Sequence, residues 1–335
     1  MSLNIQESTS IAVIGYGSWA TALVKILLEN NHNVGWFIRK PEVIEYIKEN
    51  GTNPRYLRDV HFDCTKLTMS DDLNYIVANY DILLMATPSA FLKSMLEVLT
   101  VPLNNKFIIS AIKGIVPDEY ITVAEYFNQH YSIPFDQIGI ITGPSHAEEV
   151  ALERLSYLTM VCKDIKTAEV LSKKFACDYI RVCTSTDIYG VEYAAILKNI
   201  YAIAVGIAVG IGYGDNFISV LIANGAIETQ RFLDNTYPSP RCTNSSPYLG
   251  DLLVTTYSQF SRNRTFGMML GKGYSVKSAQ MEMSMIAEGY YSAYCIRQVN
   301  KRFGVDMPIA EAVYSILYDD SAAVETINKL TDKLI

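Results

Sequence analysis

The stretch IAVIGYGSWATALVKILLEN, residues 11–30, decides the fold of the first half of the chain. An apolar run is followed by two close glycines and then by apolar residues at helical spacing, which predicts a strand, a tight turn and a helix. Gly15, Gly17 and Ala20 form the pattern G-x-G-x-x-A at that turn. The first glycine allows the turn, the second lets backbone approach a pyrophosphate, and the small third residue lets helix and strand pack closely. The stretch predicts a dinucleotide-binding turn, with an ordinary structural turn as the alternative.

The same alternation of apolar runs and helical segments continues outward from this turn. The predicted strands are residues 11–15, 33–38, 67–70, 81–87, 106–112, 138–142, 158–162 and 179–183. Helical segments between them predict βαβ units and a mostly parallel sheet with helices on both faces. We therefore predict an α/β N-terminal Rossmann-type domain over residues 1–186. Long apolar and amphipathic segments then predict an all-α C-terminal, substrate-binding domain over residues 187–335.

The composition is that of a globular protein with no nucleic-acid partner. Half of the residues are hydrophobic and 19% are charged, so disorder is not expected. The net charge of −7 argues against a polyanionic partner, because binding one depends on neutralising phosphates with Lys and Arg. The six cysteines form no C-x-x-C pair, which argues against a metal site.

No segment is predicted to span a membrane. The longest apolar stretch, residues 200–213, has 14 residues, whereas a span needs about 20, so we predict a buried helix. The N-terminus lacks the basic and apolar regions of a signal peptide, which predicts a cytoplasmic protein. The apolar stretch could pack against its own domain or against a second subunit, so a homodimer is allowed.

Arg39 and Lys40 follow the second predicted strand, where the ribose of a dinucleotide would lie. An acidic residue there would accept hydrogen bonds from the ribose hydroxyls of NAD, whereas basic residues suit a 2′-phosphate. The pair predicts NADP(H) as the preferred cofactor, with NAD(H) possible. A solvated loop is the structural alternative.

Lys198 lies in the apolar segment VEYAAILKNIYAIAVG, residues 191–206. A lysine seldom stays buried without a partner or a chemical task. Its ammonium could reach solvent from a helix end. Alternatively, burial and a nearby cation lower its pKa, so that it exchanges a proton with a substrate hydroxyl.

A polar cluster, SQFSRNRTFG at residues 258–267, follows the acidic turn LGDLL. Arginine forks together with hydroxyl and amide donors at a helix start suit a phosphate group, and a polar connecting loop is the alternative. Asp251 in the preceding turn could cap a helix or pair with a lysine.

These motifs resemble, in order and over nearly the whole chain, those of bacterial NAD(P)-dependent glycerol-3-phosphate dehydrogenases. The matching segments are GYGSWATAL, NPRYL, AIKGI, TGPSHAEEVA, VEYAAILKNIYAIAVGI, GDN, GDLLVTTYSQFSRNRTFG and AEGY. The resemblance implies reversible hydride transfer between NAD(P)H and dihydroxyacetone phosphate. The product would be sn-glycerol 3-phosphate, a precursor in phospholipid synthesis.

The resemblance also implies roles for individual residues. Lys198 matches the family's proton donor and acceptor, Lys113 a lysine that contacts substrate and cofactor, and Asp251 an aspartate that holds the catalytic lysine. The charge of Lys113 would help to lower the pKa of Lys198. Asn199, next to Lys198, is expected to orient it.

The remaining expected site residues contact substrate or cofactor, and none binds a metal. The predicted substrate contacts are Lys113, Gly143, Ser145, Lys198, Asp251, Ser261, Arg262 and Asn263. With the glycine turn and the basic pair included, the predicted cofactor contacts are Gly15, Gly17, Ser18, Trp19, Arg39, Lys40, Lys113, Ala147, Arg262 and Glu288.

The sequence departs from the family pattern in two places, and it leaves two rival functions open. The family usually has glycine in place of Ala20 and more glycine in the loop before Asp251. One rival is a reductase of similar architecture that acts on a 3-hydroxy acid or on ketopantoate. The other is a non-catalytic NADPH-binding regulator, which would need the glycine turn but neither Lys113 nor Lys198.

Overall fold

A computed structural model describes residues 5–30, 32–283, 285 and 287–335. Contacts divide the chain into two compact units: the first takes residues up to Ile112 and Val123–Ile188, and the second takes Lys113–Thr122 and Tyr189–Ile335. The predicted division between residues 186 and 187 did not anticipate that Lys113–Thr122 would pack with the second unit. Residue 286, which directly precedes AEGY, and residues 1–4 of the N-terminus lie outside the described residues.

The first unit contains an eight-stranded sheet in the order β3-β2-β1-β4-β5-β6-β7-β8. The strands are β1 (Ile11–Ile14), β2 (Val34–Phe37), β3 (Leu67–Ser70), β4 (Ile82–Met85), β5 (Phe107–Ser110), β6 (Ile138–Thr142), β7 (Ser156–Cys162) and β8 (Ile180–Ser185). All neighbouring pairs are parallel except β6 and β7, which are antiparallel. Each predicted strand is present, with shifts of a few residues at the ends.

Seven α-helices accompany this sheet among the described residues. They are α1 (Ser18–Glu29), α2 (Pro41–Asn50), α3 (Leu73–Asn79), α4 (Ser89–Leu96), α5 (Val123–Tyr131), α6 (Ala147–Ala151) and α7 (Ile165–Phe175). Helix α1 buries Leu23, Ile26 and Leu27 against the sheet core, and each such side chain stabilises the fold by about 2 kcal/mol. The indole N–H of Trp36 on β2 donates to the carbonyl of Gly15 at 2.7 Å, which fixes the glycine turn to the sheet.

The second unit is helical in its described part, apart from an isolated bridge in residues 113–122. Its helices are α8 (Ile188–Ile211), α9 (Asp215–Thr236), α10 (Asp251–Tyr257), α11 (Arg262–Gly271), α12 (Val276–Glu282), α13 (Glu288–Asn300), α14 (Pro308–Tyr318) and α15 (Ala323–Thr331). Helix α8 is the one described helix that is long and apolar enough to cross a membrane, and 83% of its most apolar window is buried inside the protein. Such burial is typical of a core helix. The predicted fold class, a Rossmann-type domain followed by a helical domain, is confirmed.

Helices α8 and α11 pack at backbone contact distance. A Cβ atom on Gly267 would lie 2.1 Å from the carbonyl oxygen of Ile203, and one on Gly206 would lie 2.1 Å from that of Arg264. Only glycine fits such an approach, since real Cβ atoms do not come this close to a carbonyl oxygen. The contact brings the start of α11, with its polar cluster, close to the helix that carries Lys198.

Candidate functional site

Three charged side chains meet inside the second unit. Lys198 projects from α8, Asp251 begins α10, and Lys113 opens the segment that joins this unit from between β5 and α5. The Nζ of Lys198 lies 2.6 Å from Oδ1 of Asp251, and the Nζ of Lys113 lies 3.1 Å from Oδ2. One carboxylate therefore binds two ammonium groups, and Asp251 is a lysine partner rather than a helix cap.

The cluster is buried, and its burial sets the protonation of Lys198. The side chains of Lys198 and Asp251 are 6% and 1% exposed, whereas that of Lys113 is 19% exposed. Burial lowers the pKa of Lys198 to about 7; Asp251 opposes this shift and the ammonium of Lys113 adds to it. Burial alone would raise the pKa of Asp251, but the two ammonium groups hold it below its ordinary value. Lys198 does not snorkel to solvent, and its side chain can take up or release a proton near neutral pH.

Thr255 is a fourth member of the cluster, and the sequence analysis missed it. Its Oγ1 accepts from the Nζ of Lys198 at 2.9 Å and donates to the carbonyl of Asp251 at 2.6 Å. A residue four positions after Asp251 lies on the same face of α10, so this spacing was the available signal. Thr255 and Asp251 together direct the lysine amine.

Two asparagine side chains connect Lys113 to the starts of α11 and α13. The Nδ2 of Asn199 donates to the carbonyl of Lys113 at 2.7 Å, and the Nδ2 of Asn263 donates to Oδ1 of Asn199 at 2.9 Å. The Oδ1 of Asn263 accepts from the backbone N–H of Gly289 at 2.9 Å. Both amides are nearly buried, so this chain of hydrogen bonds holds three separate segments in fixed register.

The predicted phosphate-binding residues lie together at the start of α11. Ser261 is the N-cap residue, and its Oγ accepts from the backbone N–H of Arg264 at 3.3 Å. Arg262 and Asn263 are the first two residues of the helix. A helix N-terminus with a guanidinium favours a phosphate group, because backbone N–H groups and the helix dipole both attract an anion. Glu288, a predicted cofactor contact, is the first residue of α13.

The glycine turn of the first unit has the geometry that a dinucleotide requires. Gly15 has φ of 125°, and a Cβ there would lie 2.5 Å from the carbonyl oxygen of Ala86. Gly17 precedes α1 without a side-chain cap, and no atom lies within 4 Å of the position its Cβ would take. The buried Nε1 of Trp19 has no hydrogen-bond partner among the described residues. Open space and unused N–H donors at a helix N-terminus fit the pyrophosphate of a dinucleotide.

The other predicted cofactor residues of the first unit surround this turn in sequence. Ser18 is the first residue of α1, and Ala20, which replaces the family's usual glycine, is fully buried. Arg39 lies two residues after the end of β2 and is exposed. Lys40 is the N-cap residue of α2, and its Nζ lies 3.7 Å from Oε1 of Glu42. The exposed guanidinium of Arg39 can reach an anionic group in solution.

The loop after β6 holds three further predicted contacts. Gly143 has φ of 121°, a backbone conformation that favours glycine. The Oγ of Ser145 donates to the carbonyl of Gly143 at 3.0 Å, and Ala147 begins α6. These three residues belong to the first unit with the glycine turn, whereas Lys113, Arg262 and the lysine cluster belong to the second.

The glycine-poor stretch before Asp251 forms a π-helix at Ser246–Gly250 that leads directly into α10. A π-helix is rare and often occurs at functional sites. Within the described residues, no group of three or more His, Cys, Asp or Glu side chains could hold a metal ion.

Comparison with known proteins shows that both the N-terminal and the C-terminal part of the chain match one family. Residues 10–168 match the NAD-dependent glycerol-3-phosphate dehydrogenase N-terminus, and residues 187–328 match the C-terminus of the same family. The chain belongs to this family. The glycine turn lies in the N-terminal match, and the lysine cluster apart from Lys113 lies in the C-terminal match.

Individual glycerol-3-phosphate dehydrogenases resemble the chain over nearly its full length. It is 35% identical to the NAD(P)+ enzyme of Staphylococcus haemolyticus, over 96% of this chain and 97% of that one. It is 34% identical to that of Limosilactobacillus reuteri, with the same coverage of both chains. The crystal structure of glycerol-3-phosphate dehydrogenase from Coxiella burnetii superposes with a TM-score of 0.88 at 26% identity, covering 97% of this chain and 99% of that one.

The ketopantoate reductase of Ralstonia eutropha shares the fold more distantly. Its TM-score is 0.58 at 13% identity, over 96% of this chain and all of that one. The rival reductases therefore share an architecture with this member of the glycerol-3-phosphate dehydrogenase family, whereas the sequence matches single out the family itself.

Proposed function

We propose that the protein is an NAD(P)-dependent sn-glycerol-3-phosphate dehydrogenase that reversibly reduces dihydroxyacetone phosphate to sn-glycerol 3-phosphate. The observation that carries this proposal is the buried cluster of Lys198, Asp251 and Lys113, in which one lysine has a pKa of about 7. A non-catalytic NADPH-binding regulator would have no use for such a cluster. The product would supply the glycerol phosphate unit of phospholipids.

Lys198 acts as the general acid in the reducing direction. Its protonated amine donates to the substrate carbonyl oxygen and transfers a proton to it as the alkoxide develops, and a cation already in place stabilises that charge. Asp251 and Thr255 hold the amine, and Lys113 adds positive charge to the same field. In the oxidising direction the neutral amine of Lys198 removes the hydroxyl proton.

Substrate phosphate is bound by Ser261, Arg262 and Asn263 at the start of α11. Binding energy from this remote group positions the reacting carbon, so a substrate without phosphate loses rate as well as affinity. We assign Gly143 and Ser145 as further substrate contacts on the strength of the family motif TGPS. Lys113 and Asp251 complete the substrate set.

The cofactor is held first by the glycine turn. Gly15 shapes the turn, its own N–H donating to the carbonyl of Phe37, while Gly17, Ser18 and Trp19 offer backbone N–H donors to the pyrophosphate half. The bound reduced nicotinamide supplies the hydride. Arg39 and Lys40 favour a 2′-phosphate, so NADP(H) is preferred and NAD(H) is accepted. The remaining assigned contacts are Ala147, Lys113, Arg262 and Glu288.

We extend the proposal to a cytoplasmic location, since the substrates are small soluble metabolites. The apolar stretch at residues 200–208 is buried inside its own unit, so a homodimer would use another surface. Sedimentation of the purified protein measures that state directly.

The decisive experiment measures oxidation of reduced cofactor with dihydroxyacetone phosphate, with NADPH and NADH run side by side. We expect turnover with both and a higher kcat/KM for NADPH. Ketopantoate and a 3-oxo acid serve as carboxylate controls. Turnover with either control but not with dihydroxyacetone phosphate would replace the proposed substrate, and binding of NADPH without any turnover would favour a regulator.

A further inference from the structure

Lys113 stands at the start of a short excursion from the first unit into the second. The chain leaves after Ile112, returns at Val123, and the residues between them pack with the helical unit. Whatever holds this excursion in place also sets the position of the Lys113 ammonium beside Asp251.

The excursion is a tight turn with a buried core. Ile115 and Val116 are 0% and 1% exposed. The N–H of Val116 donates to the carbonyl of Ile121 at 3.0 Å, and the N–H of Tyr120 donates to that of Val116 at 3.1 Å. Lys113 lies only three residues before Val116, where this turn closes, so displacement of the turn would carry the lysine with it.

The turn contains two non-glycine residues in the left-handed region of backbone space. Asp118 has φ of 67° and Tyr120 has φ of 57°. Aspartate tolerates this conformation better than other residues, whereas for a bulky residue it costs free energy and persists only where surrounding contacts impose it. Tyr120 must therefore be held by something outside its own backbone.

The contact that holds Tyr120 is aromatic. Its ring centroid lies 6.1 Å from that of Tyr294 on α13, with the ring planes inclined by 49°. Tyr294 packs in turn against Tyr314 and Tyr318 of α14, at centroid distances of 6.2 and 5.3 Å. Tyr120 is thus attached to a cluster of rings that joins two helices of the second unit.

We propose that Tyr120 is a positioning residue: its ring contact with Tyr294 attaches the closed turn to α13 and so keeps the Lys113 ammonium beside Asp251. At the other end of the excursion, the side chain of Asn199 holds the carbonyl of Lys113. The inference rests on the proposed function, because Lys113 is assigned there to the reaction.

The test is Tyr120→Ala, read out as kcat for dihydroxyacetone phosphate reduction across pH. We expect kcat to fall about tenfold, because small displacements of a catalytic group cost up to about a hundredfold in rate. The wild-type rate should decline as pH rises through about 7, where Lys198 loses its proton. The charged groups that act on Lys198 are Asp251, which raises its pKa, and Lys113, which lowers it. Withdrawal of Lys113 should therefore move the decline to higher pH.

Three further variants serve as controls for Tyr120→Ala. Tyr120→Phe keeps the ring and should retain wild-type kcat and pH profile. Tyr294→Ala removes the other ring and should reproduce the shift if Tyr120→Ala does not fold. Tyr274→Ala removes an exposed tyrosine of the same unit and should change neither quantity.

The inference would be overturned if Tyr120→Ala and Tyr294→Ala both fold and show wild-type kcat and an unchanged pH profile. An equal loss of kcat in Tyr274→Ala would overturn it as well. Those results leave the proposed function intact as long as Lys198→Ala is inactive. A fully active Lys198→Ala would instead overturn the proposed function.

Discussion

The glycine turn and the lysine cluster differ in whether their polar groups are paired within the protein. At the turn, the N-terminus of α1 has no side-chain cap, the Cβ position of Gly17 is open, and the buried indole N–H of Trp19 finds no partner among the described residues. In the cluster, the carboxylate of Asp251 binds both lysines, and Thr255 takes a further hydrogen bond from Lys198. The turn leaves its donors for a ligand, whereas the cluster pairs its charges within the protein.

This difference follows from the cost of burial. An unpaired N–H at a partly open helix end can bind water until a ligand arrives, at little cost. A buried ammonium or carboxylate without its counterion costs several kcal/mol, so the cluster must be complete in the free protein. A substitution at the open position of the turn, Gly17, should therefore affect ligand binding alone, and substitutions in the cluster should affect both catalysis and stability.

The largest expected effect comes from removing the amine of Lys198. Lys198→Met should lower kcat for dihydroxyacetone phosphate reduction by about 10³, the usual contribution of a general acid. Steady-state kinetics measures it, with Lys174→Met as a matched control, since Lys174 is equally buried but lies in the first unit. Loss of rate in both variants, or in neither, would contradict the role of Lys198.

The next effect is on stability and concerns the shared carboxylate. Asp251→Asn leaves two lysines without their counterion, so the free energy of unfolding should fall by about 3 kcal/mol. Urea denaturation at pH 7 measures the change.

Glu228 provides the matched control for that experiment. It is 1% exposed, burial raises its pKa to about 7, and its oxygens accept from the N–H groups of Ile309 and Ala310. Because no lysine ammonium depends on it, Glu228→Gln should cost less than Asp251→Asn: it leaves one backbone N–H without an acceptor, at about 1 kcal/mol. Equal losses of unfolding free energy in the two variants would mean that burial, rather than ion pairing, decides how much Asp251 contributes to stability.

Gly17→Ala tests whether a substitution at the turn weakens cofactor binding without changing stability. The Gly17 backbone has φ of −70° and its Cβ position is open, so the thermal midpoint should not change. The added methyl group would occupy the space that we propose for the pyrophosphate and raise the Kd for NADPH about tenfold, which corresponds to about 1.4 kcal/mol. Fluorescence titration measures the Kd.

Gly15→Ala is the contrasting variant at the same turn. It should unfold more readily, because its Cβ would meet the carbonyl oxygen of Ala86 and its φ is positive. A wild-type Kd in Gly17→Ala would show that the cofactor does not use this space.

The smallest effect concerns cofactor choice. Arg39→Ala should reduce the ratio of kcat/KM for NADPH over NADH about fivefold, because an exposed guanidinium gains only about 1 kcal/mol from a 2′-phosphate in solvent. Lys48→Ala, an exposed lysine on the neighbouring helix α2, should leave the ratio unchanged. A ratio that falls equally in both variants would point to general surface charge rather than to Arg39.

Much of the architecture was predictable because it is encoded locally. Apolar runs bounded by turn residues predicted all eight strands, and the glycine pattern predicted the tight turn that Gly15 makes. The polar cluster before Phe266 predicted a helix start, and α11 begins at Arg262. In each case residues a few positions apart in sequence determine the structure.

Contacts between distant residues needed the tertiary structure. The sequence by itself determined the two-part fold, the glycine turn and the presence of an apolar segment with one lysine in it. Only the packing of α8 and α10 decided that Lys198 meets both Asp251 and Thr255, and only the excursion after Ile112 decided that Lys113 joins them in the helical unit. The physical reason is that periodicity and turn chemistry specify each element separately. The position of one charge beside another, and hence the pKa of Lys198, depends on how those elements pack.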